Sequence, residues 1–172
     1  MPTARSSPAH RIRIEESGLS DLERIYELER ECFGRNAYSK SFIRFLLTDL
    51  STIALKAVND RGDVIGLVIG RVEKSSGKVI GRVYTIDVKP EHRRRGVGRM
   101  LLRKLEEEFR RMGCEKIVLE VAVDNEPAIK LYKSMGYKFT AKLKNYYGLG
   151  RDAYRAERNL GEDFSKKADN LA

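Results

Sequence analysis

The order of apolar patterns along this chain predicts an α/β fold, a single mixed central β-sheet flanked by helices. Three observations carry that expectation. Strand-like runs rich in Val and Ile crowd the middle, at residues 52–58, 64–73 and 79–88. A stretch with apolar residues at helical spacing, 98–112, follows them. Beyond it come a strand, a short helix and two last strands, an order that wraps one sheet with helices.

Each element has a local cause. Residues 11–16 alternate Arg and Ile and form a short strand with one apolar face. Gly18 breaks it, and Ser20 with Glu23 three residues on reads as a capping box. The helix behind that box places Leu22, Ile25, Tyr26, Leu28 and Cys32 near one stripe. Residues 34–38 form a loop, and Ser39 caps a second short helix with Phe42, Phe45 and Leu46. The runs 52–58 and 64–73 flank the turn Asn59-Asp60-Arg61-Gly62 and make a hairpin. Residues 74–78 are a polar turn, and the strand at 79–88 stops at Pro90, which cannot donate to a ladder. The helix at 98–112 sends Leu101, Leu102, Leu105, Phe109 and Met112 toward the core and ends at Gly113. The strand at 116–123 is apolar except for Glu120. Asp124 or Asn125 caps the next helix, Pro127 fits its first turn, and Gly136 ends it. Strands at 137–144 and 152–160 complete the sheet. The domain runs over 11–160, between a polar arm at 1–10, expected to be disordered, and a polar tail at 161–172.

Composition bounds the function. With 172 residues the chain suits one domain, and its 41% hydrophobic and 34% charged residues read as globular and soluble. No apolar run approaches the ~20 residues that cross a bilayer, and residues 1–8 lack the apolar core of a secretory signal, so a cytoplasmic location and no membrane partner are expected. The two cysteines, Cys32 and Cys114, have no CxxC spacing and no pair of nearby His, which argues against a metal site. Cys114, between helix and strand, reads as a small buried apolar residue, and a disulfide stays open. The net charge of +9 points to anionic partners, a phosphorylated cofactor, ribosome or nucleic acid.

The densest basic cluster is Arg93-Arg94-Arg95-Gly96-Val97-Gly98-Arg99, between a strand and a helix. Amide N–H groups at a helix start converge and carry about half a positive charge, and glycines let a pyrophosphate approach them. A Walker A loop needs Gly-Lys-Ser/Thr, which is missing, and the third glycine of a dinucleotide fingerprint is replaced by Leu101. A nucleic-acid patch lacks an aromatic stacking platform. A coenzyme A pyrophosphate loop and a plain glycine-rich turn with surface arginines both remain.

The segment from Ile86-Asp87-Val88 through Gly98 resembles the central motif of the GNAT acetyltransferase superfamily, Arg/Gln-x-x-Gly-x-Gly/Ala after a strand. Leu119-Glu120-Val121, Asp124-Asn125, Pro127-Ala128-Ile129, Leu131-Tyr132 and Met135-Gly136-Tyr137 resemble its second conserved block. With Asn145-Tyr146-Tyr147, they are similar to ribosomal-protein alanine N-acetyltransferases and archaeal N-terminal acetyltransferases, over about residues 11–160. The resemblance implies the acyl-CoA N-acyltransferase fold and acetyl-CoA as co-substrate, with no metal. Its site then comprises Ile86, Asp87 and Val88 beside the pantetheine arm and Arg93, Arg94, Arg95, Gly96, Val97, Gly98 and Arg99 at the pyrophosphate. Asn125 and Tyr132 complete the cofactor side.

An attacking amine must lose a proton, which a carboxylate takes directly or through water. Glu120, the one acid in its strand, matches the family's general base; from the residues alone a solvent-facing Glu is equally open. Tyr132 matches the general acid that protonates the leaving thiolate, against a plain core tyrosine. Cys114, the thiol nearest this motif, has no adjacent His, so direct transfer in a ternary complex is expected. Where some archaeal relatives carry a His, this chain has Arg82, which cannot serve as a base. Tyr38, Tyr146 and Tyr147 resemble tyrosines that wall a peptide site. The substrates implied are protein N-termini, ribosomal proteins among them, with nucleic acid not required. A lysine or small-amine acetyltransferase, a non-catalytic acetyl-CoA sensor and a nucleic-acid-binding module remain as alternatives, and neither the favoured first residue nor the oligomeric state is written in the sequence.

Overall fold

The computed structural model describes residues 11–161. The arm expected at 1–10 and, Gly161 apart, the tail expected at 161–172 lie outside the described residues. The strands are β1 (Arg13–Glu16), β2 (Thr52–Val58), β3 (Val64–Ser75), β4 (Lys78–Val88), β5 (Lys116–Ala122), β6 (Lys138–Leu143) and β7 (Ala153–Asn159). The helices are α1 (Leu22–Phe33), α2 (Lys40–Thr48), α3 (Val97–Arg111) and α4 (Glu126–Ser134). All seven strands form one sheet in the order β1-β2-β3-β4-β5-β7-β6. Every neighbouring pair is antiparallel except β4 and β5. Parallel neighbours need a crossover, and α3 supplies it.

The sheet separates two apolar layers. On one face, Leu101, Leu102, Leu105 and Phe109 of α3 pack with Val68, Val83, Ile117 and Leu119. On the other, Leu22, Ile25 and Leu28 of α1 and Ile43 and Leu46 of α2 cover Ala54, Leu67 and Ile69. Phe109 is fully buried because two glycines make room for its ring. A Cβ on Gly81 would lie 2.3 Å from Phe109 Cδ2, and one on Gly70 2.6 Å from Phe109 Cζ.

Three local expectations need correction. Ser20 does not cap α1: a 3-10 turn, Leu19–Asp21, precedes the helix, and the Asp21 carboxylate accepts from the Gly18 N–H at 3.3 Å and the Ser17 hydroxyl at 3.0 Å. Asp reaches back over three residues to hold the entry, and Ser20 is left at the surface. Met112 is 48% exposed rather than in the core, since α3 ends at Arg111 and the next residue has left the buried stripe. The turn after β3 is shorter than 74–78: the strands pair as far as Ser75 with Lys78, and Ser76 and Gly77, both at positive φ, close a two-residue hairpin. Asn125 does cap α4, its Oδ1 accepting from the Ala128 N–H at 3.3 Å. Cys114 is buried as expected.

Candidate active site

The parallel pairing of β4 with β5 runs only from Ile80 opposite Lys116 to Val83 opposite Leu119. Beyond that point each strand keeps its other neighbour, β4 as far as Val88 on β3 and β5 as far as Ala122 on β7. The two strands therefore part. A bulge adds to the divergence, because Ile69 faces Thr85 while Gly70 faces Val83, leaving Tyr84 without a partner on β3. A cavity of about 590 Å³ opens in the gap. Its walls are the freed edges, Tyr84 to Ile86 and Glu120 to Ala122, with backbone groups that no neighbouring strand uses across the gap. That is a fit for an extended arm bearing amides, which can pair with strand edges as another strand would.

The basic loop lies where β4 hands over to α3. Arg94 at φ 62° and Gly96 at φ 79° turn the chain into the helix, and Gly96 is its N-cap. The first-turn amides of Val97, Gly98 and Arg99 have no acceptor in their own helix, the arrangement that binds phosphate oxygens. Arg93, Arg94 and Arg95 are exposed around them. Arg93 Nε donates to the Val88 carbonyl at 3.0 Å, and the Arg99 guanidinium donates to Ser134 Oγ on α4. Gly98 has a second use: a Cβ there would stand 3.2 Å from Leu131 Cδ2, so its absence lets α4 approach α3. Val97 turns its side chain into the core and offers only its backbone to a ligand.

Ile86 lines the cavity, but the Asp87 side chain is buried on the opposite side of β4 against Thr85 and α1. Alternation along a strand dictates this. Thr85 Oγ1 lies 2.9 Å from Asp87 Oδ1 and 3.0 Å from Glu29 Oε2. One hydroxyl proton cannot serve both contacts, so the second needs a proton on a carboxyl. Burial, and then the adjacent Glu29 carboxylate, raise the Asp87 pKa well above the usual carboxylate range, and on that direction the proton is assigned to Asp87. The chain of donors runs from Asp87 to Thr85 to Glu29, whose Oε1 accepts the Tyr38 N–H at 3.0 Å. The loop before α2 is thus tied to β4 through buried side chains.

Glu120 lines the cavity with its side chain only 6% exposed, which removes the solvent-facing alternative. Its Oε1 accepts from Arg82 Nη1 and from Arg155 Nε and Nη2 at 3.3 and 3.2 Å. Tyr132, on α4, lines the same cavity. Burial holds its phenol far above the ordinary tyrosine pKa, with smaller contributions from Tyr147 and Asp87, so it is a donor at neutral pH. Asn125 lines the cavity as well as capping α4.

Of the tyrosines expected around a peptide, two reach the cavity. Tyr38 donates to the Tyr84 carbonyl at 3.2 Å, and Tyr147 donates to the Glu120 carbonyl at 3.2 Å, so each bridges to one freed strand edge. Tyr146 stays at the rim, 48% exposed, with its ring edge-on to Tyr147 at 4.9 Å. The thiol at the cavity is Cys32, not Cys114, which lies between α3 and the start of β5 at the far end of the strand. Burial, and then the nearby Asp87, push the Cys32 thiol up to about 11, so it is no nucleophile at neutral pH. Both cysteines are free, and among the described residues no His, Cys, Asp and Glu cluster suits a metal. No helix among them is long and apolar enough to cross a membrane. Sequence reading missed Glu73, Arg155 and Glu29; only strand pairing and the packing of α1 reveal them.

A sheet split between two parallel strands, with a glycine-turned basic loop at one end and an acid and a phenol across the gap, defines an acyl-CoA-dependent transferase. The chain belongs to the Acetyltransferase (GNAT) family, whose profile matches residues 22–137, and it is an acetyl-CoA-dependent N-acetyltransferase. It is 30% identical over 163 residues to the N-alpha-acetyltransferase of Sulfurisphaera tokodaii, covering 90% of this chain and 96% of that one. Ard1 from Thermoplasma volcanium superposes with a TM-score of 0.76 at 29% identity, over 88% of this chain and 99% of the other. The ribosomal-protein-S18-alanine N-acetyltransferase of Escherichia coli shares the fold, with a TM-score of 0.77 at 24% identity over 89% and 98% of the two chains.

Proposed function

We propose that this protein transfers the acetyl group of acetyl-CoA to the N-terminal α-amine of proteins by direct attack, with Glu120 as general base and Tyr132 as general acid. The observation that carries the reading is the placement of both side chains on one cavity, between the freed edges of β4 and β5. Acetyl-CoA supplies a thioester-activated acetyl group. Its pyrophosphate is assigned to the amides of Gly96 to Arg99 and the side chains of Arg93 to Arg95, and its pantetheine arm to the β4 edge at Ile86 to Val88.

The incoming amine forms a bond from nitrogen to the acyl carbon while the carbon–sulfur bond breaks. Glu120 accepts the amine proton, directly or through a water, and Tyr132 gives its phenolic proton to the departing sulfur. Two guanidinium groups attend the Glu120 carboxylate, and burial keeps Tyr132 an O–H that can donate to the departing sulfur. The neutral Cys32 thiol supports transfer without an acyl-enzyme. Tyr38 and Tyr147 flank the amine's approach and would close on a peptide backbone, with Tyr146 meeting residues farther along the chain. The names of the relatives support a protein N-terminus as acceptor, and the E. coli neighbour makes ribosomal proteins candidate substrates.

Thioester consumption with Ser-, Ala- and Met-starting peptides, against polyamines and a blocked lysine peptide, tests this. Glu120→Gln and Tyr132→Phe should each lower kcat by ~100-fold or more, with acetyl-CoA still bound. Full activity in both variants, or turnover confined to polyamines, would overturn the assignment.

A further inference from the structure

Four charged side chains stand in a row across four neighbouring strands: Glu73 on β3, Arg82 on β4, Glu120 on β5 and Arg155 on β7. Their signs alternate. The sheet's register produces the row. Arg82 sits opposite Arg71 and therefore diagonal to Glu73; on its other side it sits opposite Val118 and diagonal to Glu120. Glu120 faces Arg155 directly. Partners directly opposite and diagonal on one face are within reach of long side chains. The face is the one that carries α2, since the Arg71 guanidinium lies 5.6 Å from the Phe45 ring centre.

Arg82 is the central member. Its Nε donates to Glu73 Oε2 at 3.0 Å while its Nη1 donates to Glu120 Oε1. Glu73 is itself held, because the Tyr84 hydroxyl donates to its other oxygen at 2.7 Å. Burial alone would raise the Glu73 pKa, but the Tyr84 and Arg82 donors outweigh it and hold Glu73 below the usual range, as a charged anchor. Tyr84 is the residue of the β-bulge, so the irregularity that opens the cavity also fixes the far end of the row. At Glu120 both guanidinium contacts fall on Oε1. Oε2 has none of them and is the oxygen left for an amine or its water.

We propose that Arg82 is a positioning residue for the acetyl transfer: anchored on Glu73, it holds the Glu120 carboxylate by one oxygen and presents the other to the substrate. This rests on Glu120 being the base. A free Glu on a cavity wall turns about three side-chain bonds, and a fork that engages two carboxylates removes that freedom. Lysine cannot take this place fully, because one ammonium on a flexible stem lacks the planar spread of donors.

The test is a double-mutant cycle with Glu120→Gln, Arg82→Met and the pair combined, using acetyl-CoA and the best peptide from the panel. Arg82→Met should lower kcat by roughly 10- to 100-fold and leave both KM values within about two-fold of the wild type. Combined with Glu120→Gln it should add almost nothing, since a residue acting through another has no effect once that one is gone. Arg82→Lys should recover part of the lost kcat, and it carries the same cycle should the methionine variant fold poorly by thermal melting. Wild-type kcat in the Arg82 variants, or losses that multiply in the double variant, would overturn the proposal while leaving the base in place. Full activity of Glu120→Gln alone would instead remove the base, and that outcome is read from a different variant.

Discussion

Gly81 and Arg82 are neighbours on β4 and belong to different machines. Gly81 faces α3, where the Phe109 ring occupies the space a side chain would take. Arg82 faces the other way, into the row of charges that runs from Glu73 to Arg155. The same pairing recurs on β3, where Gly70 meets Phe109 and Arg71 sits in line with Arg82. The period of two along a strand thus sends Gly81 into the α3 packing layer and Arg82 into the charged row on the α2 face. Stability and catalysis should be separable by substitutions one residue apart.

The largest effect that would break this separation is on the packed face. Gly81→Ala puts a methyl inside the Phe109 ring and should cost about 3 kcal/mol of folding stability, the upper range for overpacking a core. Urea denaturation would read the loss, and Phe109→Leu in the same chain should return part of it by clearing the space. An unchanged midpoint for Gly81→Ala would mean that the helix yields without cost and that the two faces are less distinct than their contacts imply.

A middle-sized effect sharpens the comparison within the polar face. Glu120 is met by two guanidinium groups, whereas Asp87 is met by another carboxylate and is held neutral. The Asp87 pKa is raised by folding, so its favourable contribution is complete below the unfolded carboxyl's value of about 3.9 and fades as pH climbs through the raised one. Asp87→Asn keeps a neutral donor for Thr85 and has no such loss. Relative to the wild type it should gain stability as pH rises from 5 to 8, by on the order of 1 kcal/mol for each unit by which the native pKa lies above 5 within that window. Denaturation at the two pH values checks this; a wild type that gains on the variant over that range would contradict the neutral assignment.

The smallest effect belongs to the mouth of the cavity. Tyr147→Phe removes one hydroxyl bond to the Glu120 carbonyl, worth about 1 kcal/mol. It should raise the peptide KM by roughly five-fold or less and leave acetyl-CoA binding alone. A fall in kcat as large as that of Glu120→Gln would show that Tyr147 does more than frame the peptide.

Much of the fold was legible along the chain, because every helix and strand has its own apolar period and most have a cap or breaker beside them. Pro127 and Asn125 announced α4, and Gly113 closed α3. Ser20 misled because two polar residues in a row offer alternative caps, and which of Ser20 and Asp21 serves depends on where the chain arrives from β1. The site was legible in part. The basic loop, Glu120, Asn125 and Tyr132 stand in recognisable order, while the burial of the Asp87 side chain against Thr85 shows only in the packed structure. Glu73, Arg82 and Arg155 are 9, 38 and 35 positions from the partners they engage, distances over which spacing carries no geometry.

Local periods, turn chemistry and side-chain type were enough for the element order, the basic glycine-bearing loop at residues 93–99 and the acid and phenol that follow. Tertiary structure decided the insertion of β7 between β5 and β6, the parting of β4 from β5, and hence which arginines hold Glu120. The physical reason is register. Strand pairing is settled by the burial of whole faces against α1, α2 and α3, and only when it is settled do charges distant in sequence come to stand side by side.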